Sequence, residues 1–113
     1  MSVSPRFLAL LAGEGLEGKR ALDVGCGQGR VTRWLAPRVK HAVGLDRDAA
    51  ALETARRLAE GAGIANVEFH AADVEREEYE RWRPELVTAH LCETSDVLMN
   101  SAFDHQMRLR FGP

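Results

Sequence analysis

Residues 22–30 read LDVGCGQGR, which sets glycines at positions 25, 27 and 29 directly after a short apolar run. Glycine lacks a Cβ, so three at alternate positions let the chain turn sharply and let another group come close to bare backbone. Such a loop needs a strand ending before it and a helix starting after it. Ala21 to Val24 suits the strand, and Arg30 to Ala36 suits the helix, with Val31, Trp34 and Leu35 inward and Pro37 past its end. An acid, Asp23, stands two residues before the first glycine.

The same alternation continues. His41 to Leu45 reads as a second strand. Asp48 caps a helix to about Glu60, with Ala51, Leu52, Ala55, Leu58 and Ala59 as its buried side and Gly61 and Gly63 as its stop. Val67 to Ala71 reads as a third strand and Leu86 to Leu91 as a fourth, with the charged stretch EREEYERWRPE between them as a short surface helix. Ser95 or Asp96 can cap a last helix that turns Val97, Leu98, Met99, Ala102, Phe103 and Met107 inward. Strands alternating with helices predict an α/β domain with a parallel sheet, and residues 1–113 read as one domain. In such sheets ligands lie beyond the carboxyl ends of the strands, where the glycine loop falls.

Composition narrows the setting. Hydrophobic residues at 45% and charged residues at 28% suit a globular chain, and a net charge of -2 gives no general attraction to nucleic acid or membrane. No apolar run is long enough to cross a bilayer. MSVSPRFLALLAGEG lacks the basic start and long apolar core of a signal peptide and reads as a short helix with Ser4 as cap. The expected location is the cytoplasm. Cys26 and Cys92 follow neighbouring strands; two small buried residues is the preferred reading over a redox pair. His41, His70 and His105 show no metal-ligand spacing.

Two ligands suit a glycine loop in this place. A dinucleotide fingerprint would put its third glycine at position 30, which is Arg30, and its pyrophosphate would lie badly beside Asp23. A ligand with a cationic end and no phosphate would favour that carboxylate. LDVGCGQGR resembles the first motif of class I S-adenosylmethionine-dependent methyltransferases. GLD at 44–46 and AADV at 71–74 extend the likeness.

The resemblance implies a Rossmann-like three-layer α/β/α fold with strand order 3-2-1-4, and S-adenosyl-L-methionine as cofactor. The cofactor-binding residues it implies are Asp23, Gly25, Cys26, Gly27, Gly29, Asp46, Arg47, Asp73 and Val74. Asp23 and the loop would take the methionine end, Asp46 the ribose, and Asp73 with the Val74 amide the adenine. Each acid has a plainer reading as a local cap or turn residue. No catalytic residue is assigned: His90, at the end of the fourth strand, is a candidate general base, but a satisfied strand-end histidine is the preferred reading. Tyr79 and Trp82 could cover adenine, though packing of a short helix is preferred.

The family domain continues with further strands after the fourth. Here one helix is expected instead, so the chain reads as a truncated, cofactor-binding half with a bare fourth-strand edge that could support a homodimer. The expected function is methyl transfer to a small molecule; nothing marks nucleic acid as partner. The alternatives are a non-catalytic cofactor-binding or interaction module and an NAD-dependent oxidoreductase.

Overall fold

The computed structural model describes residues 9, 12–13, 15–73, 79–92 and 95–98. Its strands are β1 (Arg20–Val24), β2 (His41–Asp46), β3 (Val67–Ala71), β4 (Leu86–Cys92) and β5 (Ser95–Leu98), and its helices are α1 (Arg30–Leu35) and α2 (Ala49–Gly61). Short 3-10 turns occupy Ala36–Arg38 and Tyr79–Trp82. Among the described residues the strands form a five-stranded sheet ordered β3-β2-β1-β4-β5. The first four strands are parallel, in the expected order 3-2-1-4.

Alternation along the strands builds two cores. One face presents Ala21, Ala42 and Leu86, which cluster with Val31, Leu35, Ala36 and Val39 from α1 and the turn after it. Towards β3 the same face packs Phe69 against Leu52, Ala55 and Ala59 of α2. The opposite face presents Leu22, Val24, Val43, Leu45 and Val87, with Ala72 and Trp82 packed against them. Both faces of β1 and β2 are therefore buried, as a parallel sheet requires. Each fully buried leucine here, such as Leu22 or Leu45, contributes about 2 kcal/mol.

α2 begins where its sequence directs. The Asp48 carboxylate accepts from the amides of Ala50 and Ala51 at 3.0 and 3.1 Å, satisfying donors the helix leaves unpaired. Its inward residues are Leu52, Ala55 and Ala59, while Leu58 is 43% exposed. The expectation that Leu58 faces the core is thus corrected: it lies beyond the sheet-facing stripe that the smaller alanines occupy.

A second correction concerns the chain after β4. Ser95–Leu98 forms an antiparallel strand, β5, where a helix cap and first turn were expected. Its partners run Thr88↔Leu98, Ala89↔Val97 and Cys92↔Ser95, with a register shift between Ala89 and Cys92. Backbone pairing offered by β4 wins over a helix that would start from isolated caps. The β4 edge, expected to be bare and available to a second copy, is paired with β5 from Thr88 onward. Of the N-terminal helix expected after Ser4, Ala9 and Ala12 are described and helical, and the Gly13 amide donates to Ala9 O at 3.3 Å. Ser4 itself and the remainder of the expected last helix lie outside the described residues. No helix among the described residues is long and apolar enough to cross a membrane.

Candidate functional site

The carboxyl ends of β1, β2 and β3 meet at one edge of the sheet. The loop after β1 is stitched to β2 by its backbone. The amides of Gly25 and Cys26 both donate to Leu45 O, at 2.7 and 2.9 Å. The Gly27 amide donates to Asp46 Oδ2 at 2.8 Å, and the Asp48 amide to Asp46 Oδ1 at 2.9 Å. Asp46 thus stands between the glycine loop and the start of α2 and accepts from both.

Two of the glycines serve different ends. Gly27 has φ of +56°, and a Cβ built there would meet nothing within 4 Å, so the space above it is open to a ligand. Gly29 has φ of +78° and begins α1; a Cβ there would lie 2.7 Å from Phe69 Cε1 and 3.1 Å from Ala55 Cβ. Gly29 is therefore held by packing as well as by its backbone. Gly44 of β2 is similarly confined, with a Cβ falling 2.7 Å from Phe69 Cδ1 and 2.9 Å from Cys26 Sγ. The Phe69 ring is wedged under the loop, between β2 and α2.

Asp23 lies inside the protein, at 1% exposure. Its Oδ2 accepts from the Thr32 hydroxyl at 2.7 Å and its Oδ1 from the Thr88 hydroxyl at 2.8 Å. The carboxylate sits beneath the loop, gripped by α1 and β4. Thr32 and Thr88 were not singled out from sequence, and neither was Phe69, whose role depends on neighbours distant in the chain. Thr88 carries a local signal, a polar residue interrupting the apolar run of β4, whereas Thr32 stands between Val31 and Arg33 and nothing in its neighbourhood marks it.

Cys26 is buried and a free thiol, with Sγ 3.6 Å from Gly27 O. Burial pushes its pKa up, and the charges of Asp23 and Asp46 push it further. It remains a neutral thiol that helps fill the space beside Phe69. Asp73 is exposed just past β3. The Ala72 amide donates to Asp46 O at 2.9 Å, which brings the Asp73 segment to the same edge as Asp46. Arg47 is exposed next to Asp46. Val74 and the side chain of His90 lie outside the described residues; the His90 backbone belongs to β4. Trp82 packs against the Leu22 and Leu45 core, its ring 4.8 Å from that of His70, as the packing reading of this residue expected.

On the face opposite α1 and α2, Glu68 bridges two histidines, His41 through Oε2 and His70 through Oε1. These contacts hold the Glu68 carboxyl below the usual range, the His70 hydrogen bond contributing most and the His41 bond next. Among the described residues no group of His, Cys, Asp and Glu is arranged to hold a metal ion.

A carboxylate at each of two strand ends, beside a close backbone loop, suits a ligand rich in hydroxyl or cationic donors better than one bearing phosphates. Comparisons with known proteins point the same way. A family model described as a methyltransferase domain matches residues 21–109. The 23S rRNA (uracil(1939)-C(5))-methyltransferase RlmD of Stenotrophomonas maltophilia is 42% identical over 62 residues, which cover 55% of this chain and 14% of that protein. The ubiquinone biosynthesis O-methyltransferase of Acinetobacter baylyi is 43% identical over 61 residues, 54% of this chain and 26% of that protein. The chain therefore spans only a minor part of the length of these relatives. Among solved structures, an RNA methyltransferase from Salinibacter ruber in complex with S-adenosyl-L-homocysteine aligns with a TM-score of 0.73 over 97% of this chain and 67% of that one. At 22% identity that likeness is one of fold. A SAM-dependent methyltransferase from Thiobacillus denitrificans, also in complex with S-adenosyl-L-homocysteine, is 35% identical with a TM-score of 0.51, over 63% of this chain and 30% of that one.

Proposed function

Because this chain belongs to the methyltransferase-domain family, we propose that it binds S-adenosyl-L-methionine at the carboxyl edge of its sheet and serves methyl transfer. The observation that carries this reading is the pairing of Asp46 with the Gly27 amide at 2.8 Å, beside a loop position open to close approach. The edge fits the cofactor. Asp46 offers a two-oxygen acceptor suited to the vicinal hydroxyls of a ribose, with Arg47 next to it. Asp73 and the Val74 amide take the adenine edge. Gly25, Cys26, Gly27 and Gly29 bring backbone to the methionine end, and the Asp23 charge beneath them favours its ammonium.

Bound there, the cofactor supplies an already activated sulfonium methyl. The residues of the chain then have to hold the nucleoside, orient the methionine end and leave the methyl accessible in line with an acceptor. His90, in β4, is the candidate for taking a proton from that acceptor.

A small molecule is the acceptor class proposed first, since the net charge of -2 gives no general attraction to a polyanion. RNA is the rival class, favoured by the rRNA methyltransferase among the relatives. Calorimetric titration with S-adenosyl-L-homocysteine tests the cofactor reading. Saturable binding, weakened in Asp46→Ala and absent with NAD, is expected. A folded sample that ignores S-adenosyl-L-homocysteine, or prefers NAD, would overturn it. Binding without transfer to either acceptor class would mark a non-catalytic cofactor-binding module.

A further inference from the structure

The buried polar side chains of the described core are Asp23, Thr32 and Thr88, at 1%, 0% and 0% exposure. They belong to β1, α1 and β4, and both threonines meet at Asp23. The hydroxyl of Thr32 donates to Asp23 Oδ2 and that of Thr88 to Asp23 Oδ1, at 2.7 and 2.8 Å. A buried carboxylate is costly unless its oxygens are satisfied, and a hydroxyl can satisfy one where an isosteric valine cannot.

The placement of these groups is specific. Asp23 lies just before the glycine loop and Thr32 just after it, so their contact closes the loop from below. Thr88 reaches the same carboxylate from a third element. β4 does not need that side chain to stay in the sheet, because its backbone pairs with β1 from Ala21↔Leu86 to Val24↔Ala89. Thr88 also pairs with Leu98 of β5 in the ladder, so one residue adjoins both the loop carboxylate and β5.

We infer that Thr88 is a positioning residue for the glycine loop. Its hydroxyl fixes one oxygen of Asp23, which keeps the other on Thr32 and so sets where α1 begins and how Gly25 to Gly29 are held. The consequence for cofactor affinity rests on the proposed function; the ordering of the loop does not.

Amide hydrogen exchange followed by NMR on the full, ligand-free chain tests the ordering. In Thr88→Val, exchange at Cys26 and Gly29, whose amides bond to Leu45 O and Cys26 O, is expected to rise about tenfold. The Ala42 amide, bonded to Asn66 O between β2 and the segment before β3, should stay unchanged. Thr88→Ser, which keeps the hydroxyl, should match the parent protein. Thr32→Val provides the same comparison from the helix side should Thr88→Val fail to fold. No rise at the loop, a uniform rise across the sheet, or a serine variant behaving like valine would overturn the inference. Titration with S-adenosyl-L-homocysteine should then show about tenfold weaker binding in Thr88→Val. If the parent protein does not bind it, the proposed function fails, while the exchange data still decide the role of Thr88.

Discussion

The Gly27 amide donates to Asp46 Oδ2 over 2.8 Å, joining the loop after β1 to the last residue of β2, 19 positions later in the chain. This bond makes the loop and the proposed ribose acceptor one unit, and it separates two kinds of substitution. Gly27→Ala meets no neighbour within 4 Å but must adopt a φ of +56°. Its folding cost is expected to be about 1–2 kcal/mol, from the backbone alone. Affinity for S-adenosyl-L-homocysteine should fall by at least tenfold, because the methyl enters the space left for the ligand. Urea unfolding and calorimetry on the same sample check this; unchanged affinity would place the ligand elsewhere.

Gly44→Ala should behave oppositely. Its Cβ would lie 2.7 Å from Phe69 Cδ1 and 2.9 Å from Cys26 Sγ, in a filled region. Overpacking of this kind costs about 1–3 kcal/mol. Phe69→Leu alone should also destabilise, but the double variant should recover part of the loss, since the smaller side chain makes room. A double-mutant cycle in urea with no coupling would show that Phe69 is not the obstacle.

Cys26 should resist thiol reagents. Burial first, then Asp23 and Asp46, raise its pKa, so almost no thiolate forms near neutral pH. In a Cys92→Ser background at pH 8, reaction with a disulfide reagent is expected to be slow in the folded protein and fast in denaturant. Fast reaction of the folded protein would show that the loop opens far more readily than its bonds imply.

The link between Glu68 and its histidines should appear on the acid side. The folded carboxyl titrates below its unfolded counterpart, chiefly through the His70 and then the His41 hydrogen bond. Its contribution is thus fully present above the unfolded glutamate value, about 4.3, and is lost as pH falls through the lower folded value. The side chains are 35–45% exposed, so solvent screens the effect and it should be small. Glu68→Gln is expected to flatten the dependence of the urea midpoint between pH 5 and pH 3. An unaltered slope would assign the acid sensitivity to other carboxylates.

Some features were legible because they are local. Asp48 caps α2 through amides two and three residues away, and the strand-loop-helix around LDVGCGQGR follows from neighbouring residues. The segment at Ser95–Leu98 was not legible. Its polar start and apolar end suit a helix cap or a short strand equally well, and the pairing offered by β4 decides between them.

By itself the sequence determined the alternation of strands and helices, the loop glycines and the order in which acids follow strands. All of these are set by residues close together in the chain. Only the tertiary structure decided what the acids face. Asp23 turns inward because hydroxyls 9 and 65 residues away complete its bonding, whereas Asp46 stays at the edge because the Gly27 and Asp48 amides hold it there. Gly44 cannot be enlarged because Phe69 packs across it. The physical reason is common to these cases: a buried polar atom or a filled contact is stable only with a particular partner, and the fold alone brings that partner within reach.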